Sequence, residues 1–338
     1  MSLLASATGH LAPAFLATEA PVGERLPAGE YLAATGTLDL LWLLVAFLTG
    51  AYIYMVRVIG PKAVAPGQPV VTRFNIGCFI GAMVMLWVAS DWPMHDIGEE
   101  YLYSAHMLQH MMLSYFLPPL VLMATPQWLL RVLIGDGKLY RGVAFMCKPV
   151  IAAVVFNAVV IVTHIPGMVT ASVGNGPLHY TLHVSVVLAS LLMWMPVVGP
   201  LPELQITAIG KCIYLFMQSL VPTIPAAWLT FAEGAVYKTY DQPVRVWALS
   251  VQHDQQLAGA IMKSGGSVFL WSIIVFLFFR RFAAGYGSEN ADSYRRDHPM
   301  VSAELTGDVH ADNDAPLTTA DVERAFANMP AAPDGRVS

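Results

Sequence analysis

Long apolar stretches alternate with short polar connections along most of this chain. A transmembrane helix needs about 20 mostly apolar residues, and several stretches approach that length. They cover residues 38–58, 74–91, 101–124, 149–167, 178–198, 210–232 and 254–279. The pattern predicts an all-α fold, a polytopic membrane helix bundle with seven transmembrane helices.

Basic residues collect in alternate connections between these stretches, which predicts the orientation of the bundle. The basic side that they define holds Arg57, Lys62, Arg73, Arg131, Lys138, Arg141, Lys148, Lys211, Arg280 and Arg281. The other side holds only Arg25, Lys238 and Arg245. Because basic connections stay on the cytoplasmic side, we expect the N-terminus outside and the C-terminus in the cytoplasm.

The two ends of the chain differ in composition from the apolar region between them. We expect residues 1–37 to form an extracytoplasmic arm and residues 38–282 to form the membrane domain. Residues 283–338 are rich in Asp, Ala, Ser, Asn and Pro, and such segments bury too little apolar surface to fold alone. The sequence therefore predicts a disordered cytoplasmic tail.

Composition excludes a soluble protein and gives no sign of a nucleic-acid partner. Hydrophobic residues make up 56% of the 338 residues and charged residues only 12%. The formal net charge of -5 reflects mainly the acidic tail, so it describes no binding face. Cys78, Cys147 and Cys212 form no C-x-x-C pair, which indicates neither a disulfide framework nor a thiolate metal site.

Histidines of the membrane domain all fall at the predicted outer end of the bundle. The predicted topology places seven of them there: His95, His106, His110, His164, His179, His183 and His253. Two pairs are spaced i, i+4 on different spans, and this spacing brings both members of a pair to one helix face. Two neutral imidazoles so placed can chelate one ion. The predicted metal ligands are His106, His110, His179, His183, His253 and Asp254.

Packing offers a simpler explanation for single histidines, because a lone intramembrane imidazole often only hydrogen-bonds a neighbouring helix. Two H-x-x-x-H pairs at the same depth favour metal or cofactor handling instead. Carboxylates near the cluster, such as Asp91, Glu99 and Glu100, can orient imidazoles. Methionines nearby, such as Met107 and Met111, are better explained as apolar filler than as copper ligands.

Proline pairs and one lysine interrupt the apolar pattern. The P-P pair at 118–119 and the prolines at 222 and 225 predict kinks, either to open a cavity beneath the histidines or only to pack helices. Lys263 lies in the last span, where we expect it to snorkel outward, to pair with an acid such as Asp254, or to be solvated in a cavity.

Several motifs occur in an order that resembles the multi-spanning CtaG-type cytochrome c oxidase assembly factors. They are H-M-L-Q-H followed by P-P-L, H-Y-T-L-H on a span ending in W-M-P, P-T-I-P-A-A-W-L-T-F before Y-K-T-Y, and D-Q-Q-L-A-G. The resemblance covers about residues 38–282. It carries functional positions onto His106, Gln109, His110, His179, His183, Asp254 and Gln255. Lys263 departs from the family, which usually has an aromatic residue there.

The resemblance implies a bacterial inner-membrane protein that assembles a haem-copper oxidase and is not an enzyme. Its implied partners are oxidase subunits, membrane lipid and copper, bound by the outer histidines for delivery or insertion. Two alternatives stay open. One is a haem b oxidoreductase with one axial histidine from each pair, since two residues at i, i+4 cannot face both sides of a haem. The other is a copper transporter, which needs polar groups near the midplane.

Overall fold

The computed structural model describes residues 40–91, 94–241 and 249–297, and within these ranges all regular structure is helical. The predicted all-α membrane bundle is confirmed. The arm assigned to residues 1–37 and the tail from residue 298 onward lie outside the described residues.

The helices follow one another with short connections. They are α1 Leu40–Tyr54, α2 Gly60–Ala63, α3 Arg73–Ser90, α4 Met94–Glu100, α5 Tyr103–Met111, α6 Leu117–Ala124, α7 Gln127–Ile134, α8 Lys138–Met146, α9 Pro149–Thr163, α10 Pro166–Val173, α11 Gly176–Val198, α12 Ala208–Leu220, α13 Thr223–Phe231, α14 Val251–Ala260 and α15 Gly266–Asp297. Turns of π-helix join α1 to α2, α5 to α6 and α14 to α15, over Met55–Ile59, Met112–Phe116 and Ile261–Gly265. Short 3-10 helices occupy Pro202–Leu204 and Lys238–Tyr240.

Six segments of the described chain are long and apolar enough to cross a membrane. They are Leu41–Ala63, Arg73–Ser90, Tyr103–Ala124, Gly176–Val198, Ala208–Phe231 and Val251–Ala283. A seventh arises if α8 and α9, which are bent by 73°, count as one span. Alone, the 15 residues of α9 extend about 22 Å, short of the bilayer core. The helix stops there because Pro166 disfavours a helical conformation at Ile165.

Polar side chains cap several of these helices. Thr72, Asn175, Thr207 and Ser250 each accept a hydrogen bond from a backbone N–H in the first turn of α3, α11, α12 and α14. Each cap satisfies an N–H that has no partner inside the helix. The length of a span is set by its apolar run, whereas the capping residue fixes where its helix begins.

The buried double proline of α6 is accommodated without loss of a hydrogen bond at Ser114. Pro118 has no N–H to offer to the carbonyl four residues before it, which is that of Ser114. The indole Nε1 of Trp194 donates to this oxygen at 3.1 Å, and Trp194 is fully buried. The proline therefore ties the third apolar stretch to α11. The Ser114 carbonyl that Pro118 leaves free thus serves helix packing, one of the two expectations for these prolines.

The helices that carry histidines pack against one another. α5 contacts α4 and α14, while α11 contacts α6 and α9. α13 and α14 approach closely at Gly259, where a Cβ atom would lie 2.6 Å from the carbonyl oxygen of Ala226 and 2.8 Å from the backbone nitrogen of Thr230. All of these helices belong to the compact unit that ends at Phe279.

Candidate metal centre

The two H-x-x-x-H pairs meet at one end of the bundle. The ring centroids of His106 and His110 on α5 lie 4.5 Å apart, and those of His179 and His183 on α11 lie 4.4 Å apart. Between the helices, His183 lies 5.4 Å from His106 and 4.8 Å from His110. The predicted convergence of imidazoles from separate spans is present in the structure.

Three of these rings are close enough to share an ion. His106, His179 and His183 each offer one ligand nitrogen, and the three nitrogens lie within 4.8 Å of one another. The ring of His110 packs against that of His106 on the same helix and that of His183 on α11. Imidazole nitrogens at such distances can close on a single transition-metal ion after small side-chain movements.

Nitrogen atoms of the cluster are buried without a hydrogen-bond partner. They are Nδ1 of His106 and Nε2 of His164, His179 and His183. A buried polar atom without a partner is costly, and a cluster of such atoms on neighbouring rings is explained if an ion takes their lone pairs. We call these four residues and His110 the inner cluster.

His164 joins this group although its sequence context favours a simple packing role equally. Its Nδ1 lies 2.6 Å from the carbonyl oxygen of Val160, so Nδ1 carries the proton and Nε2 keeps the lone pair. Its ring centroid lies 6.2 Å from that of His110. His164 follows the end of α9 and has no second histidine at i, i+4, so no H-x-x-x-H pair marks it in the sequence as a ligand.

A second group of side chains with metal-ligand chemistry, His95 and Glu99, lies beside the inner cluster on the short helix α4. Glu99 accepts from Nε2 of His95 at 2.9 Å, and its other oxygen lies 3.7 Å from Nδ1 of His179. Burial acts to raise the pKa of the Glu99 carboxyl, but the hydrogen bond from His95 and the adjacent rings of His179 and His95 outweigh it, so the pKa lies below its ordinary value. The side chain of Glu100 lies outside the described part.

Helix α4 is held tightly against the helix that carries His106. A Cβ atom on Gly98 would lie 2.9 Å from the backbone nitrogen of His106 and 3.0 Å from its Cα, so only glycine permits this approach. The Gly98 carbonyl accepts a hydrogen bond from the Tyr240 hydroxyl at 3.2 Å. Gln109 Nε2 lies 3.1 Å from His95 Nδ1 and links the two helices again.

Asp254 and Gln255 take structural positions next to the cluster. The Asp254 carboxylate accepts from the backbone N–H groups of Tyr103 and Ser104 at 2.7 and 3.0 Å. Gln255 accepts from the N–H groups of Val236 and Tyr237 and donates to the Tyr237 carbonyl. The D-Q motif thus fixes the start of α5 and the loop before α14.

Two predicted ligands are not brought into the cluster. His253 is exposed and its Nδ1 lies 2.8 Å from the Ser250 hydroxyl, while both oxygens of Asp254 accept backbone hydrogen bonds. Among the described residues, the groups whose ligand atoms approach one another include neither residue. His253 stands at the third position of α14, and the Ser250 cap turns it away from the bundle.

Lys263 and the methionines have ordinary structural contacts. Lys263 Nζ donates to the Thr223 hydroxyl at 2.6 Å, rather than to Asp254 as one of the sequence-based expectations had it. Met107 and Met111 are buried in the main hydrophobic core, in keeping with their interpretation as apolar filler.

Comparison with known proteins identifies the family. The family model described as cytochrome c oxidase caa3 assembly factor (Caa3_CtaG) matches residues 50–284. Neither the curated proteins nor the solved structures yield a match. The matched region contains every histidine of the inner cluster as well as His95 and Glu99.

Proposed function

The chain belongs to the Caa3_CtaG family of cytochrome c oxidase caa3 assembly factors, and from this membership together with the inner cluster we propose that it binds a copper ion and delivers it to an oxidase subunit. The role is that of a carrier, with no reaction catalysed on a substrate. The oxidase is the partner, and the cell membrane that houses the oxidase is the location.

The buried nitrogens without hydrogen-bond partners on His106, His179 and His183 carry the proposal. Imidazole suits copper in proteins, and a site of neutral ligands adds no charge of its own. Thiolate does not compete here: Cys78 lies on α3, Cys147 follows α8 and Cys212 lies on α12, none of which carries a histidine of the cluster.

The distribution of basic residues supports an extracytoplasmic position for the cluster. Lys138 and Arg141 on α8 and Lys211 on α12 lie near the span ends opposite those that carry the histidines. By the positive-inside rule those ends face the cytoplasm. The cluster would then open toward the side on which copper is inserted into exported domains of an oxidase.

The close packing of the rings favours an ion over haem. Bis-histidine haem needs two imidazoles separated by a flat macrocycle, whereas rings from both spans fill this space at centroid distances of 4.4 to 5.7 Å. A visible spectrum of the purified protein tests this directly. A Soret band would assign the site to haem and end the copper proposal.

Copper content of the purified protein tests the proposal. We expect copper to be retained in the wild type and lost when His106 and His183 are both changed to alanine. The matched control is His253→Ala, which removes an exposed histidine at the same end of the bundle. Oxidase activity in cells that depend on each variant should follow the metal content.

Full copper retention by the double variant, with normal oxidase activity, would end the assignment. Copper uptake into sealed vesicles that contain the protein would instead point to a transporter. Loss of copper in the His253→Ala control as well would show that the binding depends on residues outside the inner cluster.

A further inference from the structure

We propose that His95, Glu99 and His179 form a second metal site, which loads a divalent ion at the surface and passes it to the inner cluster through His179. The inference rests on the proposed function, because it needs the inner cluster as the destination. One ligand atom of each of these three residues lies within 4.8 Å of the others. Two imidazoles and a carboxylate make a ligand set that binds divalent transition metals.

Exposure falls across the three residues of the second site, from Glu99 to His179, the residue that also borders the inner cluster. The side chain of Glu99 is 27% exposed, that of His95 14% and that of His179 3%. An ion that arrives from water therefore meets Glu99 first. The carboxylate neutralises part of the ion's charge before the ion leaves water, which lowers the cost of moving a dication into a buried site.

His179 belongs to both sites through opposite edges of its ring. Its Nδ1 lies 3.7 Å from Glu99 Oε1, whereas its Nε2 is buried without a hydrogen-bond partner. The ring centroid of His179 lies 5.8 Å from that of His95 and 4.4 Å from that of His183. The residue therefore stands between the two ligand sets.

A neutral imidazole has one lone pair, so His179 serves one site at a time. When Nδ1 holds the ion at the second site, Nε2 carries the proton. On transfer, Nε2 gives up that proton and takes the ion, while Nδ1 gains a proton and donates it in a hydrogen bond to Glu99. The charge of His179 is unchanged: water beside the exposed edge of Glu99 supplies the proton that Nδ1 gains, and water that accompanies the ion takes the proton that Nε2 loses.

Gln109 is the positioning residue for the second site. Its amide lies 3.1 Å from His95 Nδ1, which leaves His95 Nε2 facing Glu99. The amide oxygen of Gln109 is buried and has no partner. After rotation of the amide, this oxygen can accept a proton from Nδ1, which frees the lone pair of Nε2 for an ion.

Loading kinetics with Cu2+ test the second site. The purified full chain is mixed with Cu2+ and binding is followed by quenching of its intrinsic fluorescence. We expect Glu99→Gln to slow loading about tenfold, because a carboxylate at the exposed edge of the site raises the local concentration of cations. Copper bound at equilibrium should change little. The control is Glu233→Gln, which removes an exposed carboxylate from the loop after α13.

A second measurement isolates the site from the inner cluster. In the His106→Ala, His183→Ala double variant, we expect weakly bound Cu2+ whose electron paramagnetic resonance spectrum shows mixed nitrogen and oxygen ligands. Adding Glu99→Gln should abolish this signal. Size-exclusion profiles identical to that of the wild type show that the variants are folded.

Failure of this inference and failure of the proposed function give different results. If Glu99→Gln loads as fast as the wild type and the double variant binds no Cu2+, the second site is wrong while the inner site stands. If the wild type itself binds no copper, the proposed function fails and the relay fails with it.

Discussion

The Asp254 carboxylate caps the first turn of α5 from another helix, and its Oδ2 accepts the backbone N–H of Tyr103 at 2.7 Å. The residue before α5, Leu102, has no side chain that can cap it. An acid on α14 supplies this missing acceptor, and it also stabilises the positive end of the helix dipole. Asp254 thus fixes the end of α5 from which His106 projects.

Changing Asp254 to asparagine should destabilise the protein and weaken metal binding together. An amide offers one acceptor oxygen where two N–H groups now donate, so one buried donor loses its partner. We expect a loss of about 1 to 3 kcal/mol in the free energy of unfolding. Denaturation in detergent and copper titration measure the two effects. His253→Ala is the control, and a variant with unchanged copper affinity would disprove the positioning role.

Alanine at Gly98 should separate α4 from α5. The added Cβ would meet the backbone of His106, which cannot move as a flexible side chain can. We expect a destabilisation of about 1 to 3 kcal/mol and slower copper loading. Gly77→Ala is the matched control, because a Cβ there meets no atom within 4 Å and alanine favours the helix. Equal effects at both glycines would contradict the close approach.

Lys263 and Thr223 should show coupled contributions to stability. Their hydrogen bond joins α13 to the π-helical turn that follows α14. A double-mutant cycle with Lys263→Met and Thr223→Val should give a coupling of about 0.6 kcal/mol, and at most about 1.7 kcal/mol, as found for side-chain hydrogen bonds within membranes. Thermal unfolding of the four proteins measures this coupling. Strictly additive effects would show that the bond contributes nothing.

The stabilising contribution of Glu99 should depend on pH. Its pKa is lowered in the folded protein. Between this lowered pKa and the ordinary pKa of a glutamate, the folded state therefore binds fewer protons than the unfolded state. The contribution is present above the ordinary pKa of a glutamate and is lost as pH falls through the lowered value. In metal-free protein, the difference in melting temperature between wild type and Glu99→Gln should therefore shrink on acidification. A constant difference would contradict the lowered pKa.

Hydropathy predicted the spans well because the requirement to cross a bilayer is read directly from a run of apolar residues. The predicted 178–198 and the observed Gly176–Val198 differ by two residues at one end. The short helix α4 escaped prediction, because seven residues that include His95 and Glu99 carry no apolar run. The approach of His95 and Glu99 to His179 was therefore not predicted.

The convergence of the two H-x-x-x-H pairs could be predicted from the sequence, whereas the approach of His164 could not. The i, i+4 spacing sets the face of each histidine pair, and the topology sets their depth. Sequence could not separate Asp254 from the ligands, since an acid beside histidines looks the same whether it binds an ion or caps a helix. Only the structure shows that the nearest donors to its carboxylate are backbone N–H groups.

The π-helical turns at Met112–Phe116 and Ile261–Gly265 divide two of the spans into separately oriented halves. Each turn takes in one extra residue, which rotates the following half by about 100° relative to an unbroken α-helix. Helix α5 can therefore aim its imidazoles inward, while the turn itself presents the Ser114 carbonyl to the indole of Trp194 and α6 is aligned independently. A single-residue deletion within Met112–Phe116 would merge α5 and α6 into one continuous helix, and either the histidines of α5 or the prolines of α6 would then face the wrong neighbour.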